Sequence, residues 1–390
     1  MSLNEVTLNL PNYPMEELAK IRQRLVQAQK KVYDFGTGDP KLPTWEPIRE
    51  ALKDHIPSIS QYPSTRGGPE LVQAIWGYCE REFGIKANQG FDIAATNGSK
   101  EAIFHIALCL VGRAGGRRII AYPDPGYPVY RSSALFAGGI PYPMKLEAQH
   151  HFQQEPWKLP PEVQKNLAAL WINYPHNPTG AVMSRDHLAR IVQWCEEKDV
   201  VLLADDCYID IYASSWDAAG QKPPTPIAMT SKNVFSFMSL SKRSGVTGYR
   251  SGFMIGDARL MPAVHTARAN MGVGTPTMIQ RAAAIAWADD SHVIERRKIF
   301  SRRIDLAFPF LQKLGMIQEK PQATFYLWCS VPKGIDDVTF CLKLAEQGVI
   351  SSPSQWLSEG VKGFARFALV PDDPDTIEAM EIVTRFVRSL

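Results

Sequence analysis

The stretch SFMSLSKRSGVTGYRSGFMIG, Ser236 to Gly256, sets a lysine, Lys242, at the end of an apolar run of strand character, Val234 to Met238. A bare ammonium in such a place is costly, so the side chain needs a partner, a lowered pKa or a covalent function. Its ordinary pKa, about 10.4, makes it a poor nucleophile until its surroundings change that. Ser239 and Ser241 on one side and Arg250 on the other add two hydroxyls and a guanidinium, a set that suits a phosphate. An amine that can form an imine beside a phosphate cradle points to pyridoxal 5′-phosphate, the electron sink of amino-acid chemistry. The competing reading, a loop with an incidental Lys-Arg pair, stands only if the cofactor's other requirements are unmet.

Each of those requirements has a candidate. The pyridine nitrogen needs a buried carboxylate, and VVLLADDCYIDIY sets Asp205 at the end of an apolar strand with Tyr208 three residues on. The ring hydroxyl needs neutral donors, and NYPHNPTGAV offers Asn177 in a turn after LWINY, with Tyr208 a second donor. Tyr127 in PDPGYPVY supplies a face for stacking. In TNGSKEAIF a small polar turn leads into an apolar helix, so Gly98, Ser99 and Lys100 stand where free N–H groups and the helix dipole attract an anion; a plain N-cap explains the same residues equally well.

These side chains need a scaffold that brings strand ends together. From about residue 70 to 256, RRIIAY, AALWINY, VVLLAD, NVFSFM and GFMIGD alternate with the helical patterns ELVQAIWGYCERE and EAIFHIALCLVG. Such alternation predicts an α/β fold with a mainly parallel sheet, whose ligands gather at the carboxyl ends of the strands. Beyond residue 289 the pattern becomes a long amphipathic helix with apolar positions from Val293 to Leu314, kinked at Pro309 and stopped at Gly315. Strands in ATFYLWCSV, GVISSP and FARFALV follow, with a helix VTFCLKLAEQ between the first two. The expected division is a large domain, 46–288, and a smaller α+β domain formed by 1–45 with 289–390.

Composition narrows the function classes. The 390 residues are 45% hydrophobic and 21% charged with a net charge of +3, which fits neither a nucleic-acid surface nor a membrane surface. No apolar stretch is long enough to span a bilayer, and the N-terminal residues lack a signal-peptide pattern, so a cytoplasmic location is expected. The six cysteines form no CxxC pair and lie mostly in apolar segments, which argues against disulfides and zinc. No histidine has metal-ligand spacing, the adjacent His150 and His151 included, so no metal is expected. The pairs Gly36/Gly38 in FGTGDP and Gly272/Gly274 in MGVGTP do not continue as a dinucleotide fingerprint, and no phosphate loop of the Walker type exists.

NPTG, DDCY, SLSK and GYRSG, in this order and at these intervals, resemble the class I and II aminotransferases of the fold-type I pyridoxal-phosphate family, from about Gly36 to the C-terminus. The resemblance implies a seven-stranded sheet domain and a ping-pong exchange of an amino group. It implies that Lys242 bonds the cofactor, that Asp205 binds the pyridine nitrogen, and that Asn177 and Tyr208 reach the ring hydroxyl. It further implies that Tyr127 stacks on the ring and that Ser99, Lys100, Ser239, Ser241 and Arg250 surround the phosphate. Tyr62 in QYPSTRGGPELVQA corresponds to a tyrosine that reaches the neighbouring subunit's cofactor, implying a homodimer with shared sites. Arg366 in GFARFALV corresponds to the arginine that pairs with the substrate α-carboxylate, assisted by backbone near Gly38. The family often has Pro-Gly where this chain has Pro353-Ser354.

The segments SLSKRSGVTGYRSGF, DDSHVIERR and ATFYLW look most like N-succinyldiaminopimelate aminotransferases, which implies that substrate with glutamate and 2-oxoglutarate as the other pair. Its remote carboxylates call for a further cation, for which Arg268 and Arg66 are candidates. A broader aspartate or aromatic aminotransferase and a pyridoxal-phosphate-dependent C–S lyase are the alternatives.

Overall fold

The computed structural model describes residues 4–8, 16–112 and 116–390; part of the N-terminal stretch searched for a targeting signal lies outside them. Twelve strands occur among the described residues: β1 Tyr33–Asp34, β2 Phe91–Thr96, β3 Ile119–Asp124, β4 Ile140–Lys145, β5 Leu167–Ile172, β6 Val201–Asp205, β7 Val234–Ser239, β8 Gly252–Asp257, β9 Tyr326–Ser330, β10 Val349–Ile350, β11 Ser352–Pro353 and β12 Phe364–Ala368. Seven of them form one sheet in the order β2-β8-β7-β6-β5-β3-β4. Neighbours from β7 to β4 pair parallel, while β8 pairs antiparallel with both β7 and β2.

The central strands β3, β5, β7 and β8 are buried at every position. A sheet covered by helices on both faces needs such continuous apolar runs rather than alternation, which is why these runs stand out in the sequence. The two strands of this sheet not foreseen are β2 and the edge strand β4, IPYPMK, whose two prolines and half-exposed pattern weaken any strand signal. Because β8 alone runs against the others, the carboxyl ends of β2, β3, β5, β6 and β7 and the amino end of β8 share one edge of the sheet.

The C-terminal part is α+β. Strands β11, β12 and β9 form an antiparallel sheet, and β1 pairs parallel with β10, tying the N-terminal segment to this part. One helix, Ser291–Lys313, passes through Pro309 without ending, so the proline removes a backbone donor near the helix end rather than terminating it. Gly315 follows in the left-handed conformation at φ 71°, with Gly315 N bonded to Gln312 O at 2.9 Å and Met316 N to Leu311 O at 3.0 Å. A second core, including Phe35, Leu311, Phe340, Phe367 and Val383, fills this unit. Tyr208 and Ile211 pack with Phe300, Phe325 and Tyr326 in a further cluster, where the sheet edge meets β9. Among the described residues, no helix is long and apolar enough to cross a membrane.

Candidate active site

Most of the expected site residues cluster at the shared sheet edge. Lys242 lies in the short helix Leu240–Arg243 directly after β7, with Ser239 as its N-cap, the serine hydroxyl accepting Ser241 N at 3.2 Å. The next residue, Arg243, is buried against the contacting rings of Tyr78 and Trp287, at 4.9 and 5.4 Å, and is salt-bridged to Asp210 and Asp290. That anchoring fixes the helical turn, and the Lys242 ammonium projects away to donate to Gly38 O, 5.9 Å from the Phe325 ring centroid.

Asp205 ends β6 and is buried. Tyr130 donates to its Oδ2 at 2.7 Å, Cys207 N approaches Oδ1 at 3.4 Å, and Asn173 Nδ2 binds its carbonyl at 2.6 Å. Burial holds the carboxyl above the usual carboxylate range, against the pull of the Tyr130 hydrogen bond and the Lys242 charge. A cation facing it reverses that burial cost, and a protonated pyridine nitrogen is such a cation. Tyr130 itself is stacked on Trp171 at 4.8 Å and 22°, so the phenol is rigidly placed.

Asn177 is buried after β5, its N–H bound to Asn173 Oδ1 at 3.0 Å. Its own Oδ1 accepts from Arg366 Nη1 at 3.0 Å, while Arg366 Nη2 donates to Gly36 O at 2.9 Å. Arg366, in β12, is 8% exposed, lies 4.5 Å over the Tyr326 ring, and its Nε has no partner. A buried guanidinium held only by neutral oxygens, with one donor unsatisfied, is suited to an incoming carboxylate. The segment FGTGDP, unfit for a dinucleotide, therefore presents the carbonyls of Gly36 and Gly38 to the two cations Arg366 and Lys242.

Tyr208 donates to or accepts from Tyr326 Oη at 2.7 Å. Tyr127 is half-buried in the loop after β3, its ring 5.8 Å from that of Tyr130. His176 bridges this loop to that of Asn177 through Pro125 O at 3.1 Å and Thr179 Oγ1 at 2.7 Å; burial lowers its pKa to about 4, so the ring is neutral. On the phosphate side, the helix Ser99–Leu110 starts after Gly98 with no side-chain cap. Arg250, in the left-handed conformation at φ 53°, donates to Thr247 O at 2.8 Å and Asn97 O at 3.2 Å, and the bare Cα of Gly98 leaves room for its guanidinium: a Cβ there meets Nη2 at 2.5 Å. An uncapped helix N-terminus, the hydroxyls of Ser99, Ser239 and Ser241, and an arginine form a donor set that fits a phosphate; Lys100 is exposed in the same turn.

Tyr62 stands apart from this cluster, fully exposed with Ile56 and Ile59 nearby in sequence and also exposed. Arg268 does not line the mouth of the site: it is 3% exposed, bound to Glu101 at 2.5 Å and Ala95 O at 2.9 Å, so its charge is already compensated in the interior. Arg66 is exposed next to the Tyr62 segment. Ser354, which departs from the family's glycine, donates to buried Asp337 at 2.6 Å and accepts Phe364 N at 3.2 Å, so the serine anchors the loop leading to Arg366. Three residues of the site are not singled out by the sequence reading although each lies within a quoted stretch: Tyr130 ends PDPGYPVY, Asn173 opens NYPHNPTGAV and Tyr326 lies within ATFYLW.

A lysine, a buried aspartate and an uncapped helix on one edge of such a sheet, met through Asn177 by an unsatisfied arginine on β12, define a pyridoxal-phosphate enzyme of fold-type I. The family model described as Aminotransferase class I and II matches residues 30–381, and the chain belongs to that family. It is an aminotransferase, and its cofactor is pyridoxal 5′-phosphate. It is 32% identical over 378 residues to an LL-diaminopimelate aminotransferase of Aquifex aeolicus (strain VF5), covering 95% of this chain and 96% of that protein. It is 33% identical to LL-diaminopimelate aminotransferase 2 of Nostoc sp. (strain PCC 7120 / SAG 25.82 / UTEX 2576), with 95% of each chain covered. Among solved structures, substrate-bound BacF from Bacillus subtilis superposes with a TM-score of 0.89 at 27% identity, over 99% of this chain and 98% of that one. These curated relatives are named for LL-diaminopimelate, not for the N-succinylated compound that the sequence motifs suggested.

Proposed function

We propose that this aminotransferase exchanges an amino group between free LL-diaminopimelate and 2-oxoglutarate in a homodimer. The observation that carries the reading is Arg366, buried, held by Asn177 and Gly36 O, and left with an unpartnered Nε where an α-carboxylate can dock. The substrate rests on the names of the relatives. N-succinyl-LL-diaminopimelate is the compound to test against it.

Bound pyridoxal phosphate supplies the electron sink that stabilises negative charge at the substrate α-carbon. The residues divide the remaining tasks. Lys242 binds the cofactor covalently, and its Nζ carries the α-proton as general base and acid. Asp205, oriented by Tyr130 and Asn173, faces the pyridine nitrogen. Tyr208 and Asn177 hold the ring hydroxyl, and Tyr127 covers the ring. Ser99, Lys100, Ser239, Ser241 and Arg250 hold the phosphate. Arg366 fixes the α-carboxylate, with Gly38 beside it. The exposed Tyr62 reaches the second subunit's phosphate, and the bare Ile56 and Ile59 belong to the same contact.

The test is the visible spectrum of the purified protein with pyridoxal phosphate, followed by single donors. Wild type is expected to show a lysine-bound cofactor band that LL-diaminopimelate bleaches with release of an oxo acid, and Lys242→Ala is expected to lose turnover. Bleaching only by the succinylated donor, aspartate or an aromatic amino acid overturns the substrate; pyruvate and thiol release from a cysteine-type donor favours a lyase.

A further inference from the structure

Tyr326 meets three parts of the site at once. Its Oη lies 2.7 Å from the Tyr208 hydroxyl, its ring lies 4.5 Å beneath the Arg366 guanidinium, and it occupies the space in which a side chain at residue 38 would stand. It is 1% exposed and packed in a three-ring cluster with Phe325 at 4.7 Å and Tyr208 at 5.6 Å. Among the described residues, the Tyr208 oxygen is the only hydrogen-bond partner of the Tyr326 hydroxyl.

Two phenols sharing one hydrogen bond have one proton between them and one to spare. If Tyr208 donates to Tyr326, Tyr208 can only accept from a ligand. If Tyr326 donates to Tyr208, the Tyr208 proton is free to point into the site, and Tyr326 has no other acceptor toward which to turn. A ligand acceptor within reach of the Tyr208 hydroxyl selects the second arrangement, in which each hydroxyl is satisfied and the two bonds polarise each other. Burial keeps the Tyr208 phenol protonated, its pKa well above the ordinary tyrosine value, so the proton is available.

We propose that Tyr326 is a positioning residue that aims the Tyr208 proton at the cofactor's ring oxygen while its ring supports Arg366, linking the cofactor contact and the substrate-carboxylate contact through one side chain. The inference rests on the roles proposed for Tyr208 and Arg366. The two halves are separable by substitution: Tyr326→Phe removes the hydroxyl and keeps the ring, whereas Tyr326→Leu removes both.

The experiment titrates the visible band of pyridoxal phosphate bound to wild type, Tyr326→Phe, Tyr208→Phe and the double variant, with kcat and KM measured for the amino donor. A donor at the ring oxygen draws off the electron density that otherwise holds the neighbouring imine proton, so weakening it raises the titration midpoint. Tyr326→Phe is expected to move the midpoint up by roughly half a unit, the share of one neutral hydrogen bond, and to lower kcat with little change in KM. The double variant is expected to titrate with Tyr208→Phe, because the effect passes through Tyr208. Tyr326→Leu is expected to raise KM as well. A Tyr326→Phe midpoint equal to wild type, or a double variant shifted by the sum of the two single shifts, overturns the proposal. Thermal midpoints of the four proteins separate this from lost folding, since a purely structural role moves stability without moving the titration. A wild-type protein with no lysine-bound band removes the functional reading itself, an outcome distinct from a normal wild type with an unresponsive Tyr326 variant.

Discussion

Gly38 offers a perturbation whose cost can be worked from geometry. Its backbone is not in the left-handed region, so alanine adds only a Cβ and no backbone strain. That Cβ stands well inside contact distance of Tyr326 Oη, with Cζ at 3.0 Å and Cε1 at 3.1 Å. Tyr326 is buried, packed against both Phe325 and Tyr208, and has no free space to swing into, so the glycine segment must move. The same residue's carbonyl accepts from Lys242, so movement of the segment reaches the amine. Overpacking of this kind costs about 1–3 kcal/mol. If the whole cost falls on the active arrangement, kcat/KM drops by about 5- to 150-fold. The assay is steady-state kinetics of Gly38→Ala beside Gly38→Ala/Tyr326→Phe. Deleting the phenol oxygen removes the worst overlap and leaves a 3.0 Å contact that a shift of a few tenths of an ångström relieves, so the double variant recovers activity relative to Gly38→Ala. A double variant no better than Gly38→Ala, measured against Tyr326→Phe alone, refutes the steric reasoning.

Arg366→Lys keeps the charge but loses the planar fork, and kcat/KM falls by about 10- to 100-fold, the worth of one charge-assisted hydrogen bond; an unchanged value removes Arg366 from carboxylate binding. Asp206, which accepts from Thr225 at 2.7 Å and Ser236 at 2.5 Å, is raised by burial to about 7. A carboxyl whose folded pKa is raised binds more protons in the native state, so its stability contribution is present below about pH 4 and is lost as pH rises through about 7. Asp206→Asn therefore flattens the decline in chemical-denaturation stability between those values; an unaltered slope refutes the assignment.

The parts legible in the sequence were those written in contiguous residues. The buried central strands announce themselves as unbroken apolar runs, and Lys242, Asp205, Asn177 and Arg366 each sit on or just past such a run. The edge strand β4 escaped because prolines fit a strand that needs bonds on one side only. The helix Asp373–Arg388, with Asp372 accepting Asp375 N as its cap, was also not foreseen. The site residues not singled out in those stretches act through long-range contacts: Tyr130 reaches Asp205 across 75 residues, and Tyr326 reaches Tyr208 across 118. No local spacing encodes such pairs, since they exist only once the sheet order and β9 bring them together. Arg268 shows the converse, a cation whose motif context suggested a mouth and whose fold supplied Glu101 instead.

The reversed strand β8 gives the hairpin that follows β7 a particular burden. Lys242 leaves the carboxyl end of β7 and Arg250 enters the amino end of β8, so one short length of chain ties together the covalent anchor and the phosphate anchor proposed for the cofactor. The connection acts as a gauge: inserting a residue within it changes the span between the two anchors, whereas an insertion after β4, at the far edge, leaves that span untouched.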